Sequence, residues 1–129
     1  MTEKHHIEWD NLDKTVVLQT YEKGAGKADI YQMADKSAEM LNEVDHTVHL
    51  IIIEPVSRSV VSPTELKYLD KKVPPNQGMV MLVGGDKFSE IVKTIGDNLN
   101  NKAVANLRFV QTPEEARQYL VDELGVAYP

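Results

Sequence analysis

The residues of this chain that could do chemistry are few and scattered. A serine and a threonine, Ser62 and Thr64, stand in "VVSPTELKYL" and offer hydroxyls for capping, phosphorylation or nucleophilic attack. Four histidines, His5, His6, His46 and His49, offer imidazoles for proton transfer or metal ligation. The His46-x-x-His49 spacing has no nearby run of further ligands, so solvated or strand-edge histidine is the expected role and no metal is expected. Two glycine-containing stretches invite a phosphate reading. "GAGKA" has Tyr21 where a phosphate loop requires its first glycine and Ala28 where it requires Ser or Thr, so it reads as a strand-to-helix turn. "VGGDKF" lacks the GxGxxG spacing, and Asp86 would set a negative charge where a pyrophosphate sits; Asp86 reads as a helix N-cap. No G-x-S-x-G is present, and no Ser-His-Asp order stands out. No cofactor is therefore expected.

The elements that must position these groups follow from hydrophobic period. "HIEW" and "TVVLQTY" are strand-like runs, His6 to Trp9 and Thr15 to Tyr21, separated by the turn chemistry of "DNLD". From Asp29 the period becomes helical: Ile30, Met33, Ala34, Ser37, Leu41 and Val44 form one stripe. "VHLIIIE" and "GMVMLVGG" are continuous apolar runs of the kind that lie in the centre of a sheet covered on both faces. "SPTELKYLDKK" reads as a short helix stopped by Pro74 and Pro75. "DKFSEIVKTIGDNL" reads as a helix with Phe88, Ile91, Val92, Ile95 and Leu99 on one face. "NLRFVQT" reads as an edge strand, and "TPEEARQYLVDEL" as a last helix with Ala116, Tyr119, Leu120 and Leu124 inward. Lysines such as Lys71 and Lys72, interleaved with acids, read as solvated faces. The expected fold is α/β, ordered β-β-α-β-α-β-α-β-α, with a mixed sheet of about five strands. An N-terminal hairpin is followed by parallel βα units. One domain is expected to cover residues 1–129.

Ser62-Pro63-Thr64-Glu65 is helix-start grammar: a capping hydroxyl, a proline at the first helical position and a reciprocating glutamate. Thr112-Pro113-Glu114-Glu115 repeats it. If the strands ending at Glu54 and Val83 are parallel neighbours, the loops after them face each other, where open α/β sheets hold ligands. The candidate ligand or partner surface is then Ser57, Arg58, Ser59, Ser62, Gly84, Gly85 and Lys87, with Arg58 able to meet an anion or an acidic partner.

Bulk properties narrow the classes further. With 42% hydrophobic and 26% charged residues the chain has ordinary globular composition. A net charge of −6 disfavours nucleic acid as a partner. The absence of cysteine removes disulfides and thiol chemistry and fits a reducing cytoplasm, the expected location. No apolar stretch approaches the roughly 20 residues of a membrane span, and "MTEKHHIEWD" has no signal-peptide core.

"IEWDN" with "TVVLQTY", then "DIYQMADK", "HTVHLIIIE", "SPTELKYL", "PPNQGMVMLVGG" and "RFVQTPEEARQYL" resemble the STAS family, the sulphate-transporter and anti-sigma-antagonist domain with the SpoIIAA-like fold. The chain is most similar to the uncharacterised bacterial STAS/SEC14-like proteins, over nearly its whole length. The resemblance implies a non-enzymatic protein acting through protein contacts in regulation, a homodimer being one of the assemblies open to it, with residues 57–62 and the following helix as contact surface. Its SEC14-like side implies a carrier of a lipid or small apolar ligand as the alternative; a third reading is an enzyme with a site at the C-terminal strand ends. In regulatory STAS domains a phosphoacceptor serine opens this helix, in a stretch like Asp-Ser-Ser-Gly-Leu. Matching the leucine to Leu66 sets the acceptor against Pro63, which leaves Ser62 and Thr64 as candidate phosphoacceptors and capping as the competing role of Ser62.

Overall fold

The computed structural model describes residues 4–22, 24–53, 63–83 and 107–128. Its strands are β1 (His5–Trp9), β2 (Val16–Tyr21), β3 (Val48–Ile53), β4 (Gln77–Val83) and β5 (Leu107–Val110); its helices are α1 (Lys27–Asn42), α2 (Pro63–Lys72) and α3 (Pro113–Leu124). Among the described residues the strands form one five-stranded sheet in sequential order, β1-β2-β3-β4-β5. β1 runs antiparallel to β2, and every later pairing is parallel. The expected mixed α/β architecture, with its opening hairpin and with β5 at an edge, is thus present. The helix expected over "DKFSEIVKTIGDNL" lies outside the described residues.

Alternation along the strands divides the core between the two faces of the sheet. Val17, Val48, Leu50 and Val80 meet Leu41 of α1 on one face, with Ile7, Trp9 and Ile52 packed against them. Val16, Ile51, Met81 and Val83 meet Ala116 and Leu120 of α3 on the other. β3 and β4 are therefore covered on both sides, which is why their sequences are continuously apolar.

α1 buries Ile30, Met33, Ala34, Ser37 and Leu41, the stripe its spacing predicts. Its start is held by half of a capping box. Gly26 occupies the N-cap and has no side chain to offer, while the Asp29 carboxylate accepts the Gly26 backbone N–H at 2.8 Å. Its end is held from a distance: the Asn76 amide donates to the carbonyls of Leu41 at 2.9 Å and His46 at 3.0 Å, both near the C-terminal end of α1.

α3 starts as the sequence predicts. Thr112 Oγ1 accepts the N–H of Glu115 at 3.1 Å, and Pro113 takes the first turn. The Glu115 carboxylate reaches one residue further back than a capping box requires and accepts the N–H of Gln111 at 3.0 Å. The helix ends on Gly125, whose φ of 67° is the left-handed conformation glycine adopts without strain. Leu124 does not point inward: it is 42% exposed. Gly125 ends the helix immediately after it, and it is Val126, beyond the turn, that enters the core instead.

The β1–β2 turn is tied to the far end of the chain. The Asn11 side chain accepts the N–H groups of Thr15 and Val16 and donates to the Ala127 carbonyl at 3.0 Å. Asp10 receives two bonds from the Arg117 guanidinium, at 3.0 and 2.9 Å, and one from the Tyr128 hydroxyl at 2.6 Å.

Candidate functional site

Because β2 to β5 are parallel, their carboxyl ends, at Tyr21, Ile53, Val83 and Val110, share one edge of the sheet. β1 is antiparallel, so its first residue lies at that same end: His5 pairs with Tyr21. α1 begins there too. Three elements thus bring ionisable side chains together at one margin of the edge where open α/β sheets hold ligands.

His5 is the centre of this cluster. The strand alternation that turns Ile7 and Trp9 toward α1 also turns His5 inward, and its side chain is fully buried. Its Nδ1 lies 2.8 Å from Asp29 Oδ1 and its Nε2 lies 3.0 Å from Lys36 Nζ. With Asp29 ionised, Nδ1 carries the proton and donates; Nε2 then accepts from the ammonium. Asp29 and Lys36 stand seven residues apart on one face of α1, so a single imidazole spans two turns of helix. Burial opposes the charge on Asp29, but the bonds from His5, Gly26 and Lys4 outweigh it and hold its carboxyl below the usual carboxylate range. Burial, with the Asp29 charge beside it, pushes the Tyr21 phenol well above its ordinary value. Deeper under α1, the Gln19 amide donates to Ser37 Oγ at 3.1 Å.

An acid, an imidazole and a base in a row resemble a proton relay. The geometry here does other work. Both imidazole nitrogens are engaged, and the ring has no solvent exposure, so no face remains for a substrate or a metal. The cluster is a clasp that fastens the start of β1 to α1.

The remaining histidines divide. His6 is the exposed strand residue expected, 3.6 Å from Glu8. His46 donates through Nε2 to the Lys14 carbonyl at 2.7 Å. His49 is half-buried and accepts the Met79 N–H through Nδ1 at 2.9 Å. Of the expected solvated or strand-edge roles, His5 lies on the first strand of the sheet but is not solvated, and the expectation is incomplete for His49. The sequence signal for His5 was its parity with Ile7 and Trp9; the partner acid and lysine lie 24 and 31 residues away and leave no local mark.

The predicted surface residues Ser57, Arg58, Ser59, Ser62, Gly84, Gly85 and Lys87 lie outside the described residues. Thr64 is described: it is exposed in the first turn of α2. Lys67 and Lys71, three and seven residues on, are exposed as well, so the three form one stripe along the helix. α2 is fixed to α1 by an adjoining set of contacts. The Tyr68 hydroxyl donates to Asp35 at 2.7 Å, Lys72 lies 3.4 Å from the same carboxylate, and the Tyr68 ring meets Tyr31 edge to face at 4.6 Å. The Tyr68 hydroxyl and Lys72 hold the Asp35 carboxyl below its ordinary range. Lys72 is therefore an anchor, not only part of a solvated face, while Lys67 and Lys71 are free of that set and point to solvent.

Among the described residues, no group of His, Cys, Asp and Glu has the arrangement of a metal site, and no helix is long and apolar enough to cross a membrane. No family model, curated protein or solved structure matches the chain.

Proposed function

We propose that this is a non-enzymatic, STAS-like protein with the SpoIIAA-like fold, acting in regulation by binding a protein partner along α2 and the loop before it. The observation that carries the reading is the stripe of Thr64, Lys67 and Lys71, exposed on a helix that Tyr68 and Lys72 lock against α1. A fixed helix presents its charges in one geometry, so less ordering is lost when a partner docks. The chain as a whole carries −6, so a local basic stripe is a departure that favours an acidic partner surface and steers it to this face. The sequential sheet with an antiparallel first strand supports the SpoIIAA-like part of the reading, and the engagement of both His5 nitrogens supports the absence of chemistry at that margin of the sheet.

The test is purification under native conditions, followed by mass spectrometry, of the parent and of a Lys67→Glu/Lys71→Glu variant. An acidic protein recovered with the parent and lost from the charge-reversed variant is the expected result. A lipid recovered equally with both would overturn it in favour of a carrier.

A further inference from the structure

Among the described residues β1 is an edge strand, and its outer side carries a pattern that fits a second copy of itself. The backbone bonds that flank the strand fix which of its groups face outward. Glu22 donates to the Lys4 carbonyl at 2.9 Å and Asp10 donates to the Val16 carbonyl at 2.8 Å. In an antiparallel ladder bonded positions alternate, so Lys4, His6, Glu8 and Asp10 pair with β2, and the N–H and C=O groups of His5, Ile7 and Trp9 point away from the sheet. Such a row is a template for another strand.

We infer that two copies of the chain join through β1, antiparallel, about a two-fold axis at Ile7, doubling the sheet. This interface lies apart from the α2 stripe and does not rest on the partner reading. Pairing about Ile7 matches every residue of the strand: His5 with the second copy's Trp9, His6 with its Glu8, and Ile7 with its Ile7. The pairs at His5, Ile7 and Trp9 carry the backbone hydrogen bonds. The His6–Glu8 pairs are the ones without them, where side chains approach most closely. His6 and Glu8 are exposed, at 65% and 56%, on the outer face of the strand, so symmetry sets each imidazole against a carboxylate twice. An imidazole donates to a carboxylate in either protonation state. Shifting the axis by one residue toward the C-terminus would oppose Glu8 to Glu8, and shifting it the other way would oppose His6 to His6; only the Ile7 register gives two complementary pairs over the full strand.

The opposite face of β1 agrees. Ile7, Trp9 and Met40 are only partly buried at this margin of the core. A second β1 would extend the apolar layer over them, with its own Ile7 and Trp9 arriving on the same face.

The test is sedimentation velocity on the full chain across a concentration series at low salt. A dimer is expected for the parent. His6→Glu sets Glu against Glu and weakens association by roughly tenfold or more; Glu8→Lys removes the carboxylate to which His6 donates and weakens it to a lesser degree. The double exchange, His6→Glu with Glu8→Lys, restores opposite charges and recovers the dimer. Both side chains are exposed, so circular dichroism of each variant matches the parent. A parent that stays monomeric throughout, or a dimer indifferent to the single exchanges, or one that the double exchange does not recover, overturns the proposal.

Discussion

His49 Nδ1 accepts the backbone N–H of Met79 at 2.9 Å, standing in for the carbonyl that a regular ladder would have supplied. The register explains why a side chain is needed. Val48 pairs with Gln77 but Leu50 pairs with Val80, so Gly78 and Met79 together oppose His49. This is a bulge, and its extra N–H is satisfied by the imidazole. Gly78 permits it: a Cβ there would collide with the His49 ring and come within 2.9 Å of Thr47 Cγ2.

Gly78→Ala should therefore destabilise the fold by about 1–3 kcal/mol, the usual cost of forcing extra volume into a filled site. In a His49→Ala background the same substitution should cost less, because the ring it strikes is gone. Urea melts of the parent, both single variants and the double variant measure the coupling. Additive losses would sink this account of Gly78.

The same bond predicts acid sensitivity. Burial holds the His49 pKa below its ordinary value, and only the neutral ring accepts from Met79. The unfolded chain takes up its proton near the ordinary histidine value, about 6.5, and the folded chain only at lower pH. The stabilisation is thus complete above the unfolded value and is lost as pH falls below it. Asp29 has the same sign at lower pH: its depressed carboxyl stabilises the fold above the ordinary carboxylate range, and the contribution goes as pH drops through the folded value. Stability from urea melts should decline from pH 7 to 5, and His49→Ala should flatten that decline. An unchanged slope in the variant would assign the loss to another group.

Asp10 is the acceptor for Arg117 and Tyr128, and its side chain is 7% exposed. Asp10→Ala should cost about 2–3 kcal/mol, since it strands a guanidinium and a phenol. Arg117→Lys keeps the charge but not the paired bonds and should cost about 1 kcal/mol, a reduced figure because the arginine is partly solvated. Thermal and urea melts of both variants give the order, and Arg117→Lys losing more than Asp10→Ala would contradict it.

Thr112→Ala should remove a cap worth about 1 kcal/mol, while Thr112→Asp should keep most of it. Ser62 precedes Pro63 as Thr112 precedes Pro113, so the same pair of substitutions at Ser62 should behave alike if its hydroxyl caps α2. If Ser62 is instead a phosphoacceptor, alanine leaves stability untouched and aspartate changes which partner is recovered. Melts and native purification of Ser62→Ala and Ser62→Asp separate the two roles.

The sheet was legible because its signals are local. Alternation in "HHIEW", the run "VHLIII" and the helical stripe from Ile30 to Leu41 each declare themselves within a few residues. The Thr112 cap was legible for the same reason. The His5–Asp29–Lys36 clasp was not, because it is assembled across a strand and a helix, and neither acid nor lysine differs in sequence from a solvated one. The bulge at Gly78 was equally hidden: "NQGMVML" reads as a strand with or without the extra residue, and only the pairing with β3 exposes it. Helical period places Leu124 inward with Ala116 and Leu120, but it cannot say that Gly125 ends the helix there and leaves Leu124 exposed.

The ties between Asp10 or Asn11 and residues 117–128 span 107 to 118 positions of sequence. On a ribosome the hairpin is made before residues 117–128, so the Asp10 carboxylate must wait for partners that are still untranslated, whereas Asn11 has Thr15 and Val16 beside it. During that interval Asp10 stays hydrated, and the turn is held by the local bonds of Asn11 with Thr15 and Val16. Locking of the hairpin by Arg117 and Tyr128 therefore follows its closure, and slowing elongation through the codons for residues 111–128 would lengthen the time for which the hairpin stands without that lock.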